Sequence, residues 1–182
     1  MADIKICFLL VIFVTLFSFG HPQFSDYHQI CQKTTDSVLC IRIIDASGTA
    51  RFKTNANGWL QILNDQVKTL AITTNTKIGD ALRSNPSPRA KQSLDLCNDE
   101  YNSVVATLDN LEWFNLNKSN YPDFNRRLAQ LLFIVEDCIS SFTKPPPTPT
   151  PIGVFNENVK HVIQLTLQVL NLNQCNKITA CT

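Results

Sequence analysis

The chain has 182 residues, which suits a single domain, and its charge is nearly balanced, with 16 Lys and Arg against 15 Asp and Glu. No basic run is interleaved with aromatic residues, so the chain has no electrostatic basis for binding nucleic acid or an anionic membrane surface. Only five glycines occur and alternating strand-like segments are scarce, and both features predict an all-α protein.

Residues 1–20 are predicted to be a secretory signal peptide. Lys5 precedes the apolar run from Ile6 to Phe19, and the small residues Ser18 and Gly20 suit a cleavage site after Gly20. The alternative is a membrane anchor, but the run is shorter than the ~20 apolar residues that a spanning helix needs. No later segment is longer and more apolar, so we expect a secreted, soluble protein.

Six cysteines remain after Cys7 leaves with the leader. An even number in an oxidising compartment favours disulfides, and no paired metal-ligand spacing occurs, so we expect neither a metal nor another cofactor. Cys31 and Cys40 lie close together in the segment "ICQKTTDSVLC" and are predicted to pair with each other. This bond would staple a small helical hairpin within residues 21–53, as an appendage that supports the bundle or self-association into a homodimer.

Residues 54–174 are predicted to form an up-down four-helix bundle. Apolar residues recur at helical spacing over about 54–84, 88–112, 123–142 and 156–172, and each segment would hide one face. Ser87 followed by Pro88 is a favourable cap and first-turn pair for the second of these helices.

The apolar stripes of the second and third bundle helices agree on one register. In an antiparallel pair, residues are level when their numbers add to a constant, and Cys97 with Cys138 fits the same constant as Val104 with Leu131. The turn that this register implies lies in the polar stretch "NLNKSN". The sequence therefore predicts a disulfide between Cys97 and Cys138 in a core layer.

The remaining segments have simpler interpretations. Residues 143–153, "TKPPPTPTPIG", are predicted to be a stiff, extended connector before the last helix. Asn117 begins an Asn-Lys-Ser sequon on the loop between the second and third bundle helices and is a predicted glycosylation site. In the tail of residues 175–182, Cys175 and Cys181 could pair with each other, pair with another molecule, or stay free.

No constellation of residues indicates catalysis. The sequence contains no GxSxG, HExxH, Walker or Gly-rich phosphate pattern. The acidic pair Glu136 and Asp137 is interpreted as surface charge, because adjacent helical residues diverge by about 100°. We therefore expect a protein that is not an enzyme, has no catalytic residues and acts through its surface.

Four segments in this order resemble the plant invertase and pectin methylesterase inhibitors. They are "ICQKTTDSVLC", "AKQSLDLCNDEYNSVVATLDNL", "LAQLLFIVEDCISSF" and "NENVKHVIQLTLQVLNL". The resemblance covers essentially the whole chain after the leader. It implies an extracellular protein of the apoplast or cell wall that blocks a carbohydrate enzyme by one-to-one docking, and it implies the same two disulfides.

The family resemblance implies two alternative targets. Some members cover the cleft of pectin methylesterase with the bundle, whereas others insert a Pro-Lys-Phe stretch into the active site of cell-wall or vacuolar acid invertase. Pro122, Asp123 and Phe124 stand at a similar place here, and with Tyr121 they are the candidate partner interface. Asp in place of Lys would be repelled by an active site built from carboxylates, so pectin methylesterase is the favoured partner. A third alternative is a secreted helical bundle that carries a ligand or signals to a receptor.

Overall fold

The computed structural model describes residues 27–177, with side chains as far as Gln174. The predicted leader, the side chain of Cys175 and Cys181 lie outside the described part, so the pairing of the last two cysteines stays a prediction. Over the described residues the chain is all-helical, as expected. Its α-helices are α1 (Tyr27–Cys31), α2 (Ser37–Ala46), α3 (Ala56–Arg83), α4 (Pro88–Asp109), α5 (Tyr121–Thr143) and α6 (Gly153–Lys177).

The N-terminal hairpin consists of α1 and α2, joined by the disulfide between Cys31 and Cys40, whose Cα atoms are 5.5 Å apart. Both cysteines are fully buried. Asp36 caps α2 by accepting a hydrogen bond from the backbone N–H of Leu39 at 2.9 Å. The short loop between the helices leaves them antiparallel neighbours, so the bond stabilises a compact appendage rather than a long arm.

The long helices α3 to α6 form the predicted up-down bundle. Each packs against its neighbours along the chain, and α6 returns to pack against α3. The predicted cap of α4 is present: the Ser87 hydroxyl accepts from the N–H of Ala90 at 3.3 Å, with Pro88 in the first turn. A short 3-10 helix, Ala50–Thr54, leads into α3, where Asn55 is the cap.

The register expected for α4 and α5 places Cys97 opposite Cys138. The two residues form a disulfide, their Cα atoms are 4.9 Å apart and both are fully buried. Val104 and Leu131, which fit the same register, are also fully buried. The connection between the helices contains a second 3-10 helix, Trp113–Asn115, and the polar stretch that was expected to turn the chain.

A chain of buried polar groups connects the bundle helices at the same level. The hydroxyl of Tyr101 on α4 donates to Oδ1 of Asn156 on α6 at 3.0 Å, and Nδ2 of Asn156 points to Sγ of Cys138 on α5 at 3.4 Å. From α3, the side chain of Thr74 lies near the Tyr101 hydroxyl and donates its own hydroxyl to the carbonyl of Leu70 at 2.8 Å. Burial raises the pKa of Tyr101, so its hydroxyl stays protonated and remains a donor. This network gives the four helices one preferred depth and rotation.

The last helix is longer and more deeply buried than its apolar stripe suggested. It begins at Gly153, inside the predicted connector, and buries residues on more than one face, including Val162, Leu165 and Thr166. The reason is the hairpin, which covers α6 on a second side: the N–H of Thr35 donates to Oε1 of Gln168 at 2.8 Å. None of the described helices has a stretch long and apolar enough to cross a bilayer.

Candidate interaction surface

Residues 27–177 bring together one group of metal-ligand type, namely Cys97, Glu100 and Cys138. One ligand atom from each lies within 4.8 Å of the others. Both sulfurs are consumed by the disulfide, and a cystine sulfur is not the thiolate that a metal requires. The group is therefore a carboxyl packed on a disulfide rather than a metal centre.

The candidate interface at residues 121–124 forms the first turn of α5 rather than a free loop. Tyr121 donates its hydroxyl to Oδ1 of Asn171 on α6 at 2.5 Å, and partial burial raises its pKa. Phe124 points into the bundle, where only 7% of it is exposed, and its ring centre lies 4.9 Å from that of Trp113. Phe124 is thus a core residue, and the surface of this turn comes from Tyr121, Pro122 and Asp123.

The structure also changes the electrostatic argument made for Asp123. Its carboxylate accepts hydrogen bonds from the guanidinium groups of Arg126 and, at 2.7 Å, Arg127. These bonds hold the pKa of Asp123 below its usual range. Because two arginines face one carboxylate, the turn carries a net positive charge. The repulsion from an acidic active site that was expected of Asp123 alone is therefore offset within the molecule.

The sequon occupies an exposed turn directly before α5. Oδ1 of Asn117 accepts from the N–H and the hydroxyl of Ser119, at 2.9 and 2.6 Å, and its Nδ2 donates to the carbonyl of Asn115 at 2.9 Å. Asn117, Lys118 and Ser119 are all exposed. A glycan at Asn117 would stand at the end of the bundle that holds the 121–124 turn.

The outer face of α4 and α5 is the side of the paired helices that is turned away from the core. It is mostly polar, but Phe133 on α5 is 70% exposed and Leu96 on α4 is 37% exposed. We define this face by those two residues together with the exposed residues Gln92, Asp99 and Ser103 on α4 and Arg126, Ala129 and Gln130 on α5. The disulfide and the buried network lie directly beneath this face, so its shape is fixed before any partner arrives.

A second exposed aromatic group lies at the end of the bundle near the sequon. Phe114 is 59% exposed, and its ring centre is 5.1 Å from that of Phe52, over which the guanidinium of Arg51 lies at 4.8 Å. These residues come from the two 3-10 helices that flank α3 and α5. Among the described residues, Phe133 is therefore a strongly exposed aromatic side chain on the flank of the bundle, and Phe114 is one at its end.

A groove of about 580 Å³ separates the hairpin from the bundle. It lies between α2, α3 and α6 and is open to solvent, with Arg42, Asp65 and His161 among its polar lining residues and Ile43 and Ile62 among the apolar ones. A carrier needs an enclosed apolar cavity to hold a lipid-like ligand. This groove does not have that character.

Three residues were not singled out from the sequence: Asn156, Glu100 and Phe133. Asn156 stands one helical turn before Val159 on the apolar stripe of the last helix, so its position could have indicated a buried amide. Glu100 follows Cys97 by three positions, which places it on the α5 side of α4. The exposure of Phe133 could not be predicted, because the residue type alone does not distinguish an exposed phenylalanine on a helix from a buried one.

Comparison with known proteins identifies the family and the fold. The family model described as plant invertase/pectin methylesterase inhibitor matches residues 25–172. A crystal structure of a pectin methylesterase inhibitor from Arabidopsis thaliana is 18% identical and has a TM-score of 0.56, covering 82% of this chain and 96% of that one. A mutant form of a pectin methylesterase inhibitor from Arabidopsis, also 18% identical, has a TM-score of 0.64 and coverages of 80% and 95%. A comparison with curated protein sequences gave no significant match. The likeness to these structures supports the fold. Because the family model matches the hairpin and most of the bundle, the chain belongs to the plant invertase/pectin methylesterase inhibitor family.

Proposed function

We propose that this protein is a secreted inhibitor of pectin methylesterase that docks over the active-site cleft of the enzyme in a one-to-one complex. The observation that carries the proposal is the family match over residues 25–172, because members of this family are inhibitors of pectin methylesterase or invertase rather than catalysts. A rigid bundle with two disulfides suits an inhibitor, since a partner that is ordered in advance loses little entropy on binding.

The outer face of α4 and α5 is the docking surface that we assign. Phe133 is the anchor: it is large and aromatic, it is 70% exposed, and it projects from a helix held in place by the Cys97–Cys138 bond. Interface energy concentrates in a few such side chains surrounded by polar ones. Leu96 adds a smaller apolar contact across the helix pair, and the polar residues around both would form the rim.

Acid invertase is the second candidate target, and one observation favours it. The first turn of α5 carries Asp123 between Arg126 and Arg127, so its net charge is positive. A positive turn is attracted to an active site that works with carboxylates. In this mode the end of the bundle, with Tyr121 and the exposed Phe114, would contact the enzyme, and the flank would stay free.

Parallel assays of the two enzymes test the proposal. Purified protein lacking residues 1–20 is titrated into pectin methylesterase, followed by release of methanol or acid, and into acid invertase, followed by release of reducing sugar. We expect activity of pectin methylesterase to fall to its minimum near one equivalent and invertase to be unaffected. Inhibition of invertase alone would replace the target, and inhibition of neither at micromolar concentration would overturn both assignments.

Two matched variants separate the flank from the end of the bundle. Phe133→Ala and Phe114→Ala each remove an exposed phenylalanine, so their effects on folding should be small and similar. Loss of a central aromatic anchor typically costs about 2 kcal/mol or more of binding, roughly a thirtyfold rise in Kd. We expect that loss for Phe133→Ala with pectin methylesterase, and no more than a few-fold change for Phe114→Ala.

The route to the extracellular space is part of the same proposal. Residues 1–20 would be removed on secretion, and Asn117 would carry a glycan on its exposed turn. Mass spectrometry of the protein recovered from the culture medium of a plant expression host checks both points. The expected N-terminus is His21, and treatment with an N-glycanase should convert Asn117 to Asp; a chain that starts at Met1 or an unmodified Asn117 contradicts the corresponding assignment.

A further inference from the structure

Two carboxyl groups meet where α4 packs on α5. Glu100 lies on α4 one turn after Cys97, and Asp137 lies on α5 directly before Cys138, so the disulfide fixes the two helices beside them. The carboxyl groups of Glu100 and Asp137 lie close enough to act on each other's pKa. A carboxylate can only accept, so a hydrogen bond between two carboxyl groups requires a proton on one of them.

The surroundings of Glu100 favour its neutral form. Its Oε2 atom has no solvent contact, and none of the N–H or O–H donors among residues 27–177 reaches it. Burial, and then the negative charge of Asp137, raise the pKa of Glu100 to about 7. One carboxyl oxygen of Glu100 also lies within 4.8 Å of the sulfurs of the disulfide.

The surroundings of Asp137 favour its charged form. Nζ of Lys144 and the hydroxyl of Ser140 both donate to Oδ1 of Asp137 at 3.2 Å. These bonds, of which the one from Lys144 has the largest effect, hold the pKa of Asp137 below its usual range. The two environments therefore place the shared proton on Glu100, where its O–H can donate to the Asp137 carboxylate.

Apart from Lys144, the charged groups near this pair interact with other residues. Lys144 acts on Glu100 as well as on Asp137, but more weakly than burial does. From α6, Lys160 pairs with Glu136 at 3.2 Å, and Glu157 acts on Tyr101. From α3 no charged group is among those that act on Glu100. Within the described part of the chain, Lys144 is thus the one cation that acts on Glu100 to compensate for its ionisation.

We propose that Glu100 and Asp137 form a proton-dependent clamp between α4 and α5, which is closed in mildly acidic surroundings and weakened when the shared proton is lost. Below neutral pH the neutral Glu100 donates to Asp137 and joins the two helices. Above neutral pH two carboxylates face each other beside the buried disulfide, with one lysine between them. The clamp is a property of the fold and does not depend on which enzyme the protein inhibits.

The direction of the pH dependence follows from proton linkage. Glu100 has a pKa of about 7 in the folded chain against an ordinary value of 4.5, so between these two pH values the folded chain holds a proton that the unfolded chain has released. Stability therefore falls as pH rises through this window and levels off above it. One proton of difference corresponds to at most a tenfold change in the unfolding equilibrium constant per pH unit.

Unfolding in urea from pH 4.5 to pH 8 tests the clamp, with helicity followed by circular dichroism. We expect the unfolding equilibrium constant of the wild-type protein to increase between pH 4.5 and pH 8 by about tenfold or more beyond any increase seen for Glu100→Gln. The expected effect is below the maximum that proton linkage allows, because Glu100 is only partly buried. The amide of glutamine donates to Asp137 at every pH, so this variant should be the more stable protein at pH 8. The matched control Asp99→Asn removes an exposed carboxylate next to Glu100 and should keep the wild-type slope.

Carboxyl ¹³C resonances of the wild-type protein provide a second readout that needs no variant. We expect the Glu100 resonance to titrate near pH 7 and that of Asp137 below its ordinary range. A Glu100 midpoint below about 5.5, or a Glu100→Gln protein whose stability follows the same pH curve as the wild type, would overturn the proposal. Either result would leave the inhibition assays untouched, so failure of the clamp is distinguishable from failure of the proposed function.

Discussion

Replacing both Cys97 and Cys138 by Ala should cost more stability than any other local change to this fold. The bond spans a sequence separation of 41 residues, against 9 for the Cys31–Cys40 bond. In the loop-entropy model these closures are worth about 4 and about 2.7 kcal/mol. The Cys97→Ala/Cys138→Ala variant also loses the Cys138 sulfur, which Nδ2 of Asn156 contacts at 3.4 Å. The buried amide group is then left without its partner, at a further cost of about 1 kcal/mol.

Urea unfolding of the two double variants measures these costs. A domain of this size is stable by about 5–15 kcal/mol, so Cys97→Ala/Cys138→Ala should lose a third or more of the total and shift its midpoint accordingly. Cys31→Ala/Cys40→Ala should lose less and keep most of its helicity, because the bundle has its own core. The reasoning fails if the hairpin variant is the more destabilised of the two, or if the bundle variant loses less than about 1 kcal/mol.

Three further substitutions have directions set by single contacts, and urea unfolding measures each. Tyr101→Phe leaves Oδ1 of Asn156 buried without its donor and should cost about 1–3 kcal/mol; a neutral result would mean that water replaces the hydroxyl. Asp36→Ala removes the cap of α2 and should cost about 1 kcal/mol, whereas no loss would show that the disulfide alone sets that helix. Gly58→Ala places a Cβ 2.1 Å from the carbonyl oxygen of Phe52, so the 3-10 helix before α3 must shift, and we expect one of the larger losses, above 2 kcal/mol; wild-type stability would contradict that geometry.

The sequence could predict those parts of the fold in which buried residues recur at a regular spacing along the chain. The stripes of α4 and α5 placed Cys97 level with Cys138 because the helices are long, antiparallel and joined by one turn. The spacing of Cys31 and Cys40 indicated the hairpin for a different reason, since cysteines close together in the chain readily form a local bond. Helical geometry in the first case and chain proximity in the second favoured the arrangement that the structure shows.

What the sequence could not predict depends on contacts between distant segments. The extra burial of α6 arises because the hairpin packs on its second side, through pairs such as Thr35 with Gln168. The neutralisation of Asp123 by Arg126 and Arg127 requires side-chain rotamers that spacing alone does not fix. The burial of Phe124 is of the same kind: its place in a short stretch assigned it to a partner interface, but it packs in the core against Trp113.

Hydrogen–deuterium exchange of the complex with pectin methylesterase tests the central claim most directly. Comparison of the free protein with the one-to-one complex maps where the enzyme excludes solvent. The account predicts new protection on the outer face of α4 and α5, in peptides that contain Leu96 and Phe133, and unchanged exchange around Phe114. Protection confined to the end of the bundle, or no stable complex at all, would contradict it.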